Sequence, residues 1–292
     1  MFKTIMPILR CPCCGESFIL TEDKIEEGEI LEGKITCKAG HSYHIREGII
    51  DFASDEQEAT NNWSEIYKEV DYEELDRGIE ALKSDGQKKI EKEHRETVIE
   101  KITELKEGYL LDIASGRGML LRELLETVSP GVHIISTDLS FEVLKYDRIK
   151  FKEKHPEVKR TYIACDATNF PMKAKSIDMA CTYMGIMNMI NLAEAGIRDC
   201  ARILKDNAAL IEAVIYQKEG TKAYEEAKKV LKENGIEGIE QMVIREEIIR
   251  LHKKYFHFVE EKISCEGIAE GQEGDLFPGK GEWFANVVLD CR

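Results

Sequence analysis

An α/β fold is what this sequence predicts: a mostly parallel, seven-stranded sheet ending in a C-terminal antiparallel hairpin, preceded by a small cysteine-rich domain. Three observations carry that expectation. Between residues 109 and 216, short apolar runs alternate with stretches periodic at about 3.6 residues, the texture of strand–helix–strand units. Beyond residue 257, two β-like runs are joined by a Gly-rich loop and no helix, which makes them antiparallel partners. Near the start, four of the nine cysteines crowd into residues 11–37.

Residues 1–50 hold short β-like runs such as GKITC and SYHIREGIIDF. Residues 51–107 are highly charged and mostly helical in pattern: Ile90, His94, Val98, Ile102 and Leu105 make a core-facing stripe, and Gly108 stands where that helix should end. Within this part Trp63 and Tyr67 read either as a piece of a helical lid or as ordinary packing aromatics. From there the strand candidates are YLLDIA (109–114), VHIISTD (132–138), RTYIACD (160–166), IDMACTY (177–183) and AALIEAVIY (208–216). Helical stretches GMLLRELLETV, SFEVLKYDRIKFKEK and NLAEAGIRDCARILK lie between them. Later, TKAYEEAKKVLKENG and IREEIIRLHKKYF read as helices, while FVEEKISCEGIAE and EWFANVVLDCR read as the closing hairpin. The expected parts are therefore 1–50, a helical linker or lid over 51–107, and the main domain over 108–292.

With 292 residues, 43% of them hydrophobic, the chain can fill a sizeable core. Its net charge of −15 and pI near 5.1 argue against a broad electrostatic grip on nucleic acid. No run of about 18 apolar residues exists, so no membrane span is expected. The opening MFKTIMPILRCPCC lacks a signal-peptide pattern, so the cysteines are expected to be reduced or metal-bound in a cytoplasmic protein.

The stretch LDIASGRGM turns a strand into a helix at Gly116 and Gly118. Glycine lets a ligand approach the main chain, and the helix N-terminus that follows favours a carboxylate or phosphate. The dinucleotide fingerprint fits poorly, because Leu121 occupies its last glycine position, and no phosphate-loop sequence occurs. Asp112 ends the first strand of this unit, Asp138 the second, and Asp166 the third. Carboxyl ends of strands are where open α/β sheets bind ligands. An acid at the second strand end suits ribose hydroxyls, and Asp166 with the N–H of Ala167 could read an adenine edge; helix caps or loop residues are the plainer alternative.

LDIASGRGM, STDLS, CDATNFPMKAKSIDMACTYMGIMNM and CARILKDNAALIEAVIY, in that order, resemble the motifs of class I S-adenosylmethionine-dependent methyltransferases over about residues 109–216. The resemblance implies a Rossmann-like sheet and S-adenosylmethionine as cofactor. Asp112 with the turn Ala114, Ser115, Gly116 and Gly118 would hold the methionine part. Asp138 and Leu139 would hold the ribose and flank the base, Asp166 and Ala167 would meet adenine, and Tyr183 would complete the set. Ala114 stands where the family often has glycine, and KDNAAL replaces a common Lys-Pro-Gly-Gly turn, with Asn207 as the turn residue. Enzymes acting on base or amide nitrogens often carry an Asn/Asp-Pro-Pro-Tyr type motif after the fourth strand. This chain has Tyr183-Met184-Gly185-Ile186, similar to the small-molecule branch that includes quinone-precursor methyltransferases. Met184, Met187 and Met189 suit a soft apolar pocket wall or plain core packing equally well.

Cys11, Cys14, Cys37 and His41 give a C-x2-C knuckle followed by C-x3-H, the donor set of a closed structural zinc site. Metal also meets a need, since residues 1–50 hold few large apolar residues; free thiols in a hairpin are the alternative. Cys13 and His44 are spare, and His44 could replace His41. This segment resembles the zinc ribbon of ribosomal RNA guanine-N1 methyltransferases. An RNA-binding ribbon should be basic, yet residues 1–50 carry six Lys/Arg against eight acids. The expected activity is therefore methyl transfer to a small-molecule or lipid-like acceptor. An RNA base methyltransferase, and a non-catalytic cofactor-binding regulator, are the other readings. No catalytic residue is assigned.

Overall fold

The structure is a computed structural model that describes residues 1–53, 72–152, 154–272, 275 and 280–292. Trp63 and Tyr67 lie outside the described residues.

After a short 3-10 turn (Lys3–Ile8) come β1 (Phe18–Glu26), β2 (Glu29–Cys37), β3 (Ser42–Arg46) and β4 (Ile49–Asp51). Among the described residues the next elements are the helices α1 (Tyr72–Leu82) and α2 (Asp85–Ile102). The alternating part runs β5 (Glu107–Asp112), α3 (Met119–Thr127), β6 (Gly131–Asp138), α4 (Phe141–Phe151), β7 (Arg160–Ala164), β8 (Ile177–Tyr183), α5 (Ala193–Ile203) and β9 (Leu204–Gln217). It closes with α6 (Lys222–Glu233), α7 (Glu240–Val243), α8 (Arg245–His252), β10 (Val259–Ile268) and β11 (Trp283–Cys291).

Among the described residues all strands join one eleven-stranded sheet in the order β1-β2-β3-β4-β7-β6-β5-β8-β9-β11-β10. The seven expected strands form its contiguous block from β7 to β10. β7, β6, β5, β8 and β9 run parallel, while β11 pairs antiparallel with β9 and with β10, as the closing hairpin required. What the sequence reading did not supply is the extension. β4 pairs in parallel with β7, Ile50 opposite Ile163, so the four N-terminal strands continue the main sheet.

Alternate residues along each parallel strand point to opposite faces, which is why these strands read as unbroken apolar runs. Leu111, Ile135 and Ile163 pack on one face with Ile197, Cys200 and Ile203 of α5; Leu110, Ile134 and Tyr162 pack on the other with Val98 of α2 and Leu120, Leu121 and Leu124 of α3. Ile5, Leu9, Ile35, Ile45 and Ile50 belong to the first of these clusters. The N-terminal segment is thus seated on the main core, and metal is not its sole source of stability.

Two local expectations need correction. The stripe through His94, Val98 and Ile102 is buried, but α2 ends at Ile102 with Thr103 as its cap, not at Gly108. Gly108 lies inside β5 at φ 106°, where an added Cβ would sit 2.4 Å from the Asp178 carboxylate. Its role is close packing against β8. Asn207 does adopt a left-handed φ of 63°, but within the long β9, at an irregularity between the pairs Ile177–Leu204 and Met179–Ala209.

Candidate active site and metal centre

β6 and β8 flank β5 on opposite sides, so the chain's direction of winding reverses there and opens a crevice beyond the strands' carboxyl ends. The glycine turn rims it. The Ser115 N–H donates to the Thr137 carbonyl at 2.8 Å, and the Gly118 N–H closes the turn onto the Ser115 carbonyl at 3.1 Å. Ala114, Gly116 and Gly118 all take left-handed φ, of 51°, 55° and 66°. A glycine is therefore favoured at position 114 for conformation as well as size, and alanine there carries strain of about 1 kcal/mol. A Cβ on Gly116 would meet nothing nearer than the Ala114 carbonyl at 3.9 Å, which leaves that side open to a ligand.

The three acids differ in kind. Asp112 is buried, and both its carboxylate oxygens lack a hydrogen-bond partner among the described residues. Burial, reinforced by the charge of Asp138, pushes its carboxyl up to about 8. Asp138 is engaged: one oxygen accepts the Gly116 N–H at 3.0 Å and the other the Ser140 N–H at 3.0 Å. Asp166 accepts both the N–H and the hydroxyl of Thr168, each at 2.7 Å. Leu139 and Ala167, half-buried, directly follow these two acids.

Asp147 of α4 is a participant that the sequence reading missed. An added Cβ on Gly118 would stand 2.7 Å from its carboxylate, and burial pushes that carboxyl well above the usual range. A signal was present: Leu144, Asp147 and Phe151 share one helical face, and an acid on an apolar stripe is out of place.

Tyr183 ends β8, but its hydroxyl turns to the Glu91 carbonyl of α2 at 3.5 Å while its ring packs on His94. The expected cofactor residue thus directs its polar end toward the neighbouring helix. Beyond it, Met184 takes φ 63° and Gly185 passes so close to the turn that a Cβ would be 2.7 Å from the Ala114 Cβ. Met184 and Met187 then line a cavity of about 720 Å³ whose other walls include Ile215, Leu231, Ile239 and Val243. Met189 faces the main core instead, against Gly196. Met184 and Met187 are at the same time members of a buried apolar cluster with Ile215, Tyr224 and Val243, so for these two the wall and the packing coincide.

Cys11, Cys14, Cys37 and His41 converge: their ligand atoms all lie within 4.8 Å of one another. Cys14 and Cys37 sulfurs are 3.6 Å apart, and His41 Nδ1 is 3.5 Å from Cys11 and 3.4 Å from Cys37. Zinc–sulfur bonds of about 2.3 Å in a tetrahedron require edges of about 3.8 Å, so the cluster is nearly at metal-binding size. His44 sits in β3, paired across to Lys34 and Asp51, and Cys13 rests on the Tyr43 hydroxyl at 3.3 Å.

Residues 110–207 match the family described as a methyltransferase domain. A relative at 29% identity over 102 residues is the ubiquinone/menaquinone biosynthesis C-methyltransferase UbiE of Pseudomonas paraeruginosa, covering 35% of this chain and 40% of the relative. The protein of the same description from Citrifermentans bemidjiense is 25% identical over 122 residues, covering 42% of this chain and 52% of its own. The chain thus spans about half or less of the length of these relatives. In three dimensions, the phosphoethanolamine N-methyltransferase 2 of Haemonchus contortus, in complex with phosphomonomethylethanolamine and S-adenosylhomocysteine, aligns over 68% of this chain and 52% of its own. The TM-score is 0.52 at 16% identity, a likeness of fold. Residues 110–207 thus match a methyltransferase-domain family by sequence, and the fold of the chain is of the kind this solved structure shows.

Proposed function

We propose that the chain is an S-adenosylmethionine-dependent methyltransferase acting on an apolar small-molecule or lipid-like acceptor. The observation that carries this is the mostly apolar cavity of about 720 Å³, with Lys222, Glu226 and Glu282 also in its lining, whose wall includes Met184, next in sequence to the Gly185 that meets Ala114 of the glycine turn. Cavities of that size and lining suit drug-sized apolar ligands. The relatives' quinone-type names agree with such an acceptor.

The crevice fits the cofactor. Asp112 offers a buried carboxylate, unpartnered among the described residues, of the kind an amino-acid ammonium satisfies, and Gly116 leaves the turn open. Asp112 and the turn would hold the methionine part, Asp138 with Leu139 the ribose, and Asp166 with Ala167 the adenine. When bound, the sulfonium supplies a methyl carbon that is already activated. The protein's own task is to align the acceptor, hold it and exclude water. Met184, Met187 and Ile215 shape the acceptor's seat. We further propose zinc at Cys11, Cys14, Cys37 and His41, in a structural role.

Calorimetry with S-adenosylhomocysteine, followed by transfer of tritiated methyl from S-adenosylmethionine to a cell extract, tests this. Binding with label in the organic-soluble fraction is expected. Label in RNA would replace the acceptor reading with a base methyltransferase, and binding without label would favour a regulator. Ile215→Trp, filling the cavity, should abolish labelling while leaving S-adenosylhomocysteine affinity intact.

A further inference from the structure

The N-terminal knuckle is built onto the loop that carries Asp166. Leu9 forms a bridge with Met172, the Arg10 N–H donates to the Pro171 carbonyl at 3.0 Å, and the Lys173 N–H donates to the Ile8 carbonyl at 2.8 Å. The side chains add a second layer. Arg10 Nε donates to the Met172 carbonyl at 2.9 Å, and its Nη2 donates to Asn169 Oδ1 at 2.8 Å. Asn169 Nδ2 returns a bond to the carbonyl of Pro12, between Cys11 and Cys13, at 3.1 Å. Both polar atoms of the Asn169 amide are thereby satisfied by the knuckle. The Asn169 backbone N–H in turn closes onto the Asp166 carbonyl at 3.1 Å, next to the Thr168 groups that hold the Asp166 carboxylate.

α5 also grips this loop, through Asp199 on the Phe170 N–H at 2.6 Å and Arg202 on the Phe170 and Met172 carbonyls. That grip begins one residue beyond Asn169. The turn from Asp166 to Asn169 is braced from the knuckle side. The knuckle's own placement depends on Cys11 and Cys14 meeting Cys37 at the end of β2 and His41 beside β3, strands that continue the sheet into β7. A metal at those four ligands would lock Arg10 and Pro12 to the sheet. Without it, the chain between Leu9 and Phe18 has fewer anchors, and Asn169 loses partners on both sides.

The structure assigns the cysteine–histidine knuckle a part in cofactor recognition: it sets the base-reading loop after β7, with Arg10 and Asn169 as positioning residues and Asp166 as the group they position. This rests on the cofactor reading above. It gives the N-terminal strands a purpose that needs no RNA and suits their acidic balance. It also predicts that metal and cofactor affinity are coupled, each raising the other by the same factor.

The test uses the full chain, zinc-loaded, stripped by chelation and reloaded with Zn²⁺. Calorimetry reads binding of S-adenosylhomocysteine and of its inosine analogue, which differs only at the base edge. Zinc removal should weaken S-adenosylhomocysteine binding about tenfold, the worth of about one hydrogen bond to a charged group, and reloading should restore it. The preference over the inosine analogue should shrink in step. Arg10→Ala, with zinc content retained, and Asn169→Ala, outside the knuckle, should reproduce the loss; Asn169→Asp, which keeps only the acceptor for Arg10, should fall between. Unchanged affinity and base preference in the stripped protein and in both alanine variants would overturn the assignment. So would an equal loss for both ligands, which would indicate general loosening. No binding by the zinc-loaded wild type would instead remove the cofactor reading itself.

Discussion

Two loops follow parallel strands of the same sheet, and by our reading they are prepared for a ligand in opposite ways. After β5, the glycine turn leaves Asp112 buried and, among the described residues, without a partner, and the Ser115 hydroxyl unpaired there as well. After β7, Asp166 is already bonded to Thr168 and the loop behind it is fastened to both the knuckle and α5. The first loop keeps an unmet electrostatic demand that a cationic group can satisfy. The second keeps a shape. Recognition of a charge can rest on one costly residue, whereas recognition of a flat base edge requires many small constraints spread over distant segments.

Substituting the costly residue should separate the two loops most sharply. Asp112 is shifted from the ordinary 3.8 up to about 8, so between those values the folded chain holds a proton that the unfolded chain has lost. Stability of the unliganded protein must fall as pH rises through that window. Asp112→Asn should flatten this loss and raise the melting temperature at pH 8 and above, yet weaken S-adenosylhomocysteine about ten- to a hundredfold. Calorimetry in buffers of differing ionisation enthalpy should also show proton release on binding below about pH 8 in the wild type, absent in the variant. Equal pH profiles in the two proteins would remove Asp112 from the site.

Asp138 lies between the extremes, since it serves the turn and, by our reading, the ribose. Asp138→Ala should cost about 1–3 kcal/mol of cofactor affinity and also lower the melting temperature, because the Gly116 and Ser140 N–H groups lose their acceptor. A variant with altered stability and unaltered affinity would confine Asp138 to the turn. The smallest effect belongs to the loop after β7. Thr168→Val removes the hydroxyl bond from Thr168 to the Asp166 carboxylate, keeps the backbone one, and should cost about 1 kcal/mol, felt mainly as reduced preference for adenine. A loss as large as that of Asp112→Asn would erase the contrast drawn between the two loops.

Periodicity was enough to find the parallel strands and their helices, because residues buried on both faces announce themselves as apolar runs. IDMACTY ends where β8 ends, and VHIISTD differs from β6 by one residue. Boundaries slipped where backbone conformation overrode composition. YLLDIA was read through Ala114, but β5 stops at Asp112 and the chain has turned into left-handed backbone by Ala114. The four positions that converge in the knuckle were legible from spacing alone, as were Asp112 and Asp138 at their strand ends, whereas β7 stops at Ala164 and leaves Asp166 in the loop beyond it. Tyr183 was placed in the site by resemblance, while its hydroxyl bonds toward α2.

Local chemistry in the chain therefore specified the α/β alternation, the glycine turn, the strand-end acids and the Cys/His set, because each depends on neighbours a few residues apart. Only folding brought Arg10 to Asn169, Gly185 to the glycine turn and Ile50 to Ile163, contacts across scores of residues with no trace in spacing. Folding likewise left Asp112 without a partner among the described residues while Asp138 accepts the Gly116 and Ser140 N–H groups, although both are strand-end acids in the sequence. Burial and hydrogen-bond supply are properties of the whole packed sheet, and they distinguish a residue poised for a ligand from one that holds the loop beneath it.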